Sequence, residues 1–365
     1  PTFVVLTAAL GTMLAPLNST MIAVALPEIM AEFDAGIGHA GWLVTGYLVA
    51  MASLQPLGGK IGDRFGRRPL VLGGLAFFGA ASLGASAAPN LWVLLLFRML
   101  QAAAGALIIP NGVALARQFL PEGHRGRGFG LIGAAVGIAA ASGPPLGGLL
   151  VETAGWRSIF YVNLLAVAPA LLLGWRWLPA GRRSEGSRFD IPGAIMLPAA
   201  LVGAAGVLMT VGRDVGATVQ LGAGLASVAV AVVFIRRELG HLDPVFQPRL
   251  FRNRGFAAAS GGVALSNMAM YTLLLSVPLL LAERGESSSL EVGLVLTALS
   301  ASMIVLAPFG GLLVDKVGRR VPAVVGLAML ALGTAPIALA GAGVTLSTLV
   351  ASLAVAGIGL GGAGA

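Results

Sequence analysis

The chain has 365 residues, 57% of them hydrophobic and only 10% charged, with a mean hydropathy of +0.91. A soluble domain carries about 25% charged residues and cannot hide this much apolar surface, so an ordinary soluble protein is excluded. The net charge of +8 suggests nucleic acid in a soluble protein, but here the cations sit between apolar runs, and the absence of cysteine excludes disulfides, thiolate nucleophiles and Cys-ligated metals.

Apolar runs of about 20 residues are long enough to cross a bilayer. They predict an all-α polytopic membrane protein of about twelve spans, at roughly 3–26, 40–57, 69–87, 91–113, 129–150, 159–178, 190–211, 217–235, 256–281, 291–313, 321–340 and 344–365. The first run is followed by "PEIMAEFD" and another span, so no cleaved signal peptide is expected. Of the 23 cations, 19 fall in the segments on one side of these spans and 3 on the other. The positive-inside rule then puts the cation-rich side, and the N-terminus with it, in the cytoplasm of a cell-membrane protein.

In chain order, span one carries Asn18, about 12 Å below its outer end, and span two carries Trp42 and Tyr47. Between spans two and three lies the expected cytoplasmic loop "GGKIGDRFGRR" (58–68), with Gly59, Asp63, Arg64, Gly66, Arg67 and Arg68. Gly59 and Gly66 suit close backbone approach and an awkward turn. Asp63 suits a helix N-terminus and a charge-assisted bond to an arginine.

Span four holds Arg98, the remaining cation, about 10 Å below the outer edge and followed by Gln101. A charge inside a span is a functional candidate. With no acid deep in any expected span, Arg98 needs neutral partners such as Asn18 and Gln101, water, or a substrate anion. A purely structural arginine bonded to carbonyls is the alternative.

Span five reads "GIAAASGPPLGG", in which Gly137, Gly143, Pro144, Gly147 and Gly148 give a kinked helix with a small-residue face for close packing. After span six, "GRRSEGSR" (181–188) is a polar linker, and Asp190 can cap span seven. The basic segment 236–255, with interleaved Leu and Phe, is expected on the inner membrane surface. Span nine carries Asn267, Met268, Met270 and Tyr271, which with Trp42 and Tyr47 are candidates for an adaptable apolar substrate pocket or for plain packing. His39, His124 and His241 are scattered, so neither metal, cofactor nor catalytic site is expected.

After span ten the chain reads "GGLLVDKVGRR" (310–320), a second copy of the first motif displaced by 252 positions. Asp315, Gly318, Arg319 and Arg320 align with Asp63, Gly66, Arg67 and Arg68. Parallel repeats about an axis along the membrane normal are the architecture of a two-bundle secondary transporter.

The stretches "LNSTMIAVALP" (17–27), "GKIGDRFGRR" (59–68), "RMLQAAAGA" (98–106), "GIAAASGPPLGG" (137–148) and "WRSIFYVNL" (156–164) resemble, in this order, the motifs of the major facilitator superfamily, specifically its fourteen-span drug:proton antiporter branch. The resemblance implies two pseudo-symmetric bundles with two extra central helices. Residues 1–178 would form the N-terminal six-helix bundle, 179–255 the linker with the extra pair, and 256–365 four of six C-terminal helices, the chain being C-terminally incomplete. It further implies alternating-access export of drugs or amphipathic molecules, proton-coupled, by a monomer in the lipid bilayer with no nucleic-acid partner. The gating cluster would latch the halves in the outward-facing state, and the span-five motif would act as a non-leaky hinge. Two positions depart from the pattern: Asn18 replaces a titratable Asp, and Ala102 follows Gln101 where the pattern has Gly. A coupling acid would then be Glu28 or Glu32 near the outer mouth, Asp63, or a residue past Ala365. Transport of a polar metabolite, and a non-transporting sensor or enzyme on the same fold, are the alternatives.

Overall fold

The structure, a computed structural model, describes residues 2–121, 124–179, 191–210, 216–241, 244, 246–284, 288–318 and 320–363. Among the described residues all regular structure is helical. In chain order the helices are α1 (Thr2–Glu32), the one-turn α2 (Ile37–Ala40), α3 (Trp42–Phe65), α4 (Arg67–Ser86), α5 (Leu91–Phe119), α6 (Arg125–Ala154), α7 (Ser158–Trp177), α8 (Ile191–Thr210), α9 (Ala217–Gly240), α10 (Arg254–Glu283), α11 (Ser289–Val317), α12 (Arg320–Ala340) and α13 (Leu346–Ala363). Each expected span is one of the twelve long helices. Ten are long and apolar enough to cross a membrane by themselves, while α8 and α13 hold the shorter apolar stretches Ile195–Leu208 and Leu346–Gly362. Lipid offers no hydrogen bonds, so a spanning segment must satisfy its backbone internally, which a helix does.

The helices outlast the apolar runs. α1 continues through the acidic stretch to Glu32, and the motif expected as a loop at 58–68 is almost wholly helical. α3 runs to Phe65, Gly66 alone breaks it at φ 97°, and α4 begins at Arg67. Polarity marks where the bilayer ends, but helical hydrogen bonding stops only where a residue leaves helical φ. Gly318 repeats the device at φ 80° between α11 and α12, so the sequence repeat is also a conformational one. These are backbone positions that favour glycine.

The chain divides into two compact units: Pro1–Ala15, Ala35–Ala135 and Phe160–Leu250 in one; Pro16–Asp34, Val136–Ile159 and Phe251–Ala365 in the other. In the first, Val4 and Leu14 of α1 pack with Val71, Leu75 and Phe78 of α4, Ala104, Ile108 and Leu115 of α5, and Val167 and Ala170 of α7. α8 packs on α9 and on α3. The outer flank of α9 exposes Leu221, Leu225 and Val228, as a lipid-facing helix does. In the second unit, Leu273 and Val277 of α10, Leu296 and Leu299 of α11, Leu330 and Ile337 of α12, and Leu353 and Ala356 of α13 form one core with Ala23 and Val24 of α1. Small residues set the spacing there: a Cβ on Gly357 would stand 2.1 Å from the Leu299 carbonyl oxygen, so α13 touches α11 backbone to backbone.

Candidate gating and transport sites

The first gating motif is built on the seam between α3 and α5. Pro110 lies inside α5, and a proline lacks the N–H that would bond the carbonyl of Ala106, four residues back. Gly58 lies against that carbonyl; a Cβ there would be 2.1 Å from its oxygen. Asn111, fully buried, donates through Nδ2 to the Gly58 carbonyl at 2.9 Å and to the Leu107 carbonyl at 2.8 Å. Its Oδ1 is turned onto the Gly62 backbone, where a Cβ would sit 1.7 Å away. The close approach is therefore at Gly58 and Gly62. Gly59, the expected contact, has ordinary room, since a Cβ there would meet Pro110 Cβ at 3.7 Å.

One turn beyond this seam, Arg67 donates to Asp63 Oδ1 through Nε at 3.1 Å and NH2 at 2.7 Å. The pair spans the Gly66 break and ties the end of α3 to the start of α4. Arg68 donates to the Trp175 carbonyl at 2.8 Å and so joins α4 to α7, while Arg64 lies 5.5 Å over the Phe65 ring. In the second copy Gly318 makes the turn and Arg320 opens α12 exposed. Arg319 and the side chain of Asp315 lie outside the described residues.

Arg98 is fully buried. Its Nε donates to the Leu43 carbonyl and its NH1 to Gln101 Oε1, both at 3.0 Å, and its guanidinium stands 4.0 Å over the Tyr47 ring. Gln101 Nε2 donates to Ser82 Oγ at 2.8 Å, which also receives Asn163 Nδ2 at 3.3 Å. Among these contacts the charge is thus met by a carbonyl, an amide oxygen and a π face, with Gln101 as expected. The linked residues come from α3, α4, α5 and α7. Asn18 is buried on the stretch of α1 that belongs to the other compact unit.

The glycines of α6 divide their work. Gly143 and Gly147 face α1, where added Cβ atoms would lie 1.8 Å from Thr20 Oγ1 and 3.1 Å from Met21 Cα. Gly148 faces α11: a Cβ there would be 2.5 Å from the Ser289 carbonyl oxygen and 3.0 Å from Gly293 Cα. Gly293 in turn lies against Pro144, its added Cβ 2.7 Å from that carbonyl oxygen. Gly137 stands apart from the seam, with nothing within 4 Å of an added Cβ.

The pocket candidates do not form one group. Tyr47 has no exposed area, lying beneath Arg98, and Trp42 is half-buried at the start of α3. Met270 and Tyr271 pack against the core of the second unit, Met268 is 64% exposed, and Asn267 bonds back to the Val263 carbonyl at 2.9 Å. Sequence reading missed Asn111, Ser82 and Asn163. The available signal was a single polar residue in an apolar helix, which names no partner. It also missed the bond from Ser289 Oγ to Glu28 Oε1 at 3.1 Å, between residues far apart in sequence. The linker 181–188 and Asp190 lie outside the described residues.

Residues 8–365 match the family model described as Major Facilitator Superfamily. The chain is 34% identical to the uncharacterized MFS-type transporter YvkA of Bacillus subtilis (strain 168), with 88% of this chain and 72% of that protein covered. It is 31% identical to the tetracenomycin C resistance and export protein of Streptomyces glaucescens, over 89% of this chain and 61% of that protein. In fold it resembles the xylose transporter XylE from E. coli, with a TM-score of 0.64, 16% identity, and 99% and 85% of the two chains covered.

Proposed function

Because the chain belongs to the major facilitator superfamily, we propose that it exports drugs or amphipathic small molecules across the cytoplasmic membrane by proton-coupled alternating access, as a member of the fourteen-span branch. It is a membrane transporter and not an enzyme. The observation that carries the antiport reading is the α6–α11 seam. At Gly148 and Gly293 the two backbones lie so close that neither position has room for a methyl group. In this reading a seam this tight acts as a seal between the two helices, which an exchanger working against a gradient requires. The likeness to a protein named for resistance and export supports a drug-like substrate.

In this reading the N-terminus is cytoplasmic, the Asp63–Arg67 pair and, separately, the second copy of the motif are gating elements, and Arg98 tunes the polar core of the first bundle. Residues 1–178 and 256–365 are the two bundles, joined by 179–255, and the chain acts as a monomer. Asn18 cannot titrate, so proton coupling uses an acid elsewhere. The test is efflux of a fluorescent amphipathic dye from energised vesicles, with and without a pH gradient. Gradient-dependent efflux is expected. Efflux indifferent to the gradient, or none while a polar metabolite is carried, would overturn the reading.

A further inference from the structure

We infer that Glu28 and Ser289 form a proton-responsive latch that holds the ends of α1, α6 and α11 together when Glu28 is protonated. The inference rests on the orientation proposed above, which makes these ends extracellular.

The latch sits directly past the glycine seam. Gly143 and Gly147 bring α6 onto α1, and Gly148 brings it onto α11. Beyond these contacts the surroundings turn polar. Ser289 Oγ, at the start of α11, donates to Glu28 Oε1 at 3.1 Å, and the Trp156 backbone N–H also donates to Glu28. Glu32, one turn further along α1, takes the guanidinium of Arg157. Arg157 reaches its two oxygens at 2.6 and 2.8 Å, and Trp156 Nε1 adds a bond at 2.6 Å. Burial of its carboxyl raises the proton affinity of Glu28 above the ordinary carboxylate value most strongly; the Ser289 bond works against this, and Glu152 of α6 and Glu32 add to it as like charges. Two further charged groups of these segments are engaged elsewhere: Glu291 accepts from the Ser288 N–H at its own helix start, and Arg284 donates to the Val344 carbonyl. Glu28 therefore holds its charge with neutral donors while facing two carboxylates. It is half-buried, so protons reach it.

The sign follows from what protonation removes. Closing the ends of α1, α6 and α11 over Glu28 takes its carboxylate out of water, which opposes closure while it is ionised, and the like charge of Glu152 adds to that cost. A proton on Glu28 removes the charge that burial and Glu152 penalise. It does not abolish the link to Ser289, because a carboxylic acid still accepts the hydroxyl proton on its carbonyl oxygen. Proton affinity is thus higher in the closed arrangement, so the closed population is fullest in acid and is lost as pH rises. Acid outside closes the outer ends, which is the step an importer of protons needs. This supplies a pH response from α1 although Asn18 has none.

The protein has no cysteine, so a pair of spin labels can be placed without background. Ala31→Cys on α1 and Leu294→Cys on α11 are both exposed. Distances between them are measured on the full chain in nanodiscs, without substrate or gradient, from acidic to alkaline buffer. A short distance dominating in acid and a longer one in alkali is expected, the ratio changing by at most about tenfold per pH unit for one linked proton. With Glu28→Gln the short distance should dominate throughout, and Glu152→Gln should weaken the dependence without removing it. A parent distance indifferent to pH, or a Glu28→Gln protein that keeps the parent's response, overturns the latch. Because no transport is measured, that result leaves the export reading standing, and failed dye export leaves the latch standing.

Discussion

Gly62→Ala isolates the α3–α5 seam. In an open helix position this change stabilises by about 1 kcal/mol through helix propensity. Here the new Cβ would lie 1.7 Å from Asn111 Oδ1 and 2.5 Å from its Cγ. The Asn111 amide has to retreat by about 1.5 Å or more, which breaks its bonds to the Gly58 and Leu107 carbonyls. Each bond contributes roughly 0.5–1.5 kcal/mol, and overpacking adds about 1–3 kcal/mol. After the propensity gain, a net loss of about 1–5 kcal/mol is expected. The assay is equilibrium unfolding in mixed micelles, carried through a double-mutant cycle. In the Asn111→Ala background the obstacle is gone, and Gly62→Ala should be neutral or stabilising. Gly58→Ala meets a backbone oxygen, that of Ala106, so Asn111→Ala should not rescue it; Gly59→Ala has room and should cost little. Equal losses from Gly62→Ala in both backgrounds would refute the reasoning.

Three further outcomes follow from the same geometry. Gln101→Ala leaves a buried guanidinium hydrogen short of its acceptor, so a loss of about 1–3 kcal/mol is expected in thermal melts, and Arg98→Lys should not restore the two-point contact; an unchanged melt for Gln101→Ala would count against the network. Gly148→Ala and Gly293→Ala each set a methyl against a backbone oxygen, at 2.5 and 2.7 Å, and should make vesicles leak protons, read with a pH-sensitive dye; tight vesicles with full transport would exclude the seam as a seal. The Asp63–Arg67 pair is partly exposed, at 41% and 26% of its side chains, so Asp63→Asn should shift stability by about 1 kcal/mol or less while strongly lowering dye efflux; parental efflux would remove the latch role of Asp63.

Hydropathy made the twelve long helices legible because a bilayer-spanning run must be long, apolar and internally bonded. The Gly66 and Gly318 turns were legible because the repeat sets the same residue types at the same topological place. Helix ends were less so: the acidic stretch after span one and the motif after span two are polar, yet both continue their helices. Partnership was the least legible. Gly58 and Gly59 are neighbours of one type in the sequence, and only the path of α5, with the Ala106 carbonyl and Asn111 facing α3, decides which of them is pressed. Arg98 announced itself by its cost in a membrane. Ser82, Asn163 and the Glu28–Ser289 bond did not, since each is an ordinary residue until a distant helix arrives.

The central claim is exchange of an amphipathic substrate for protons. Its most direct measurement is made in acid-loaded inverted vesicles, following substrate uptake and internal pH together. Adding substrate should release protons in proportion to uptake, and collapsing the gradient should stop both. Substrate uptake with no proton movement, or proton release unaffected by substrate, would contradict the account.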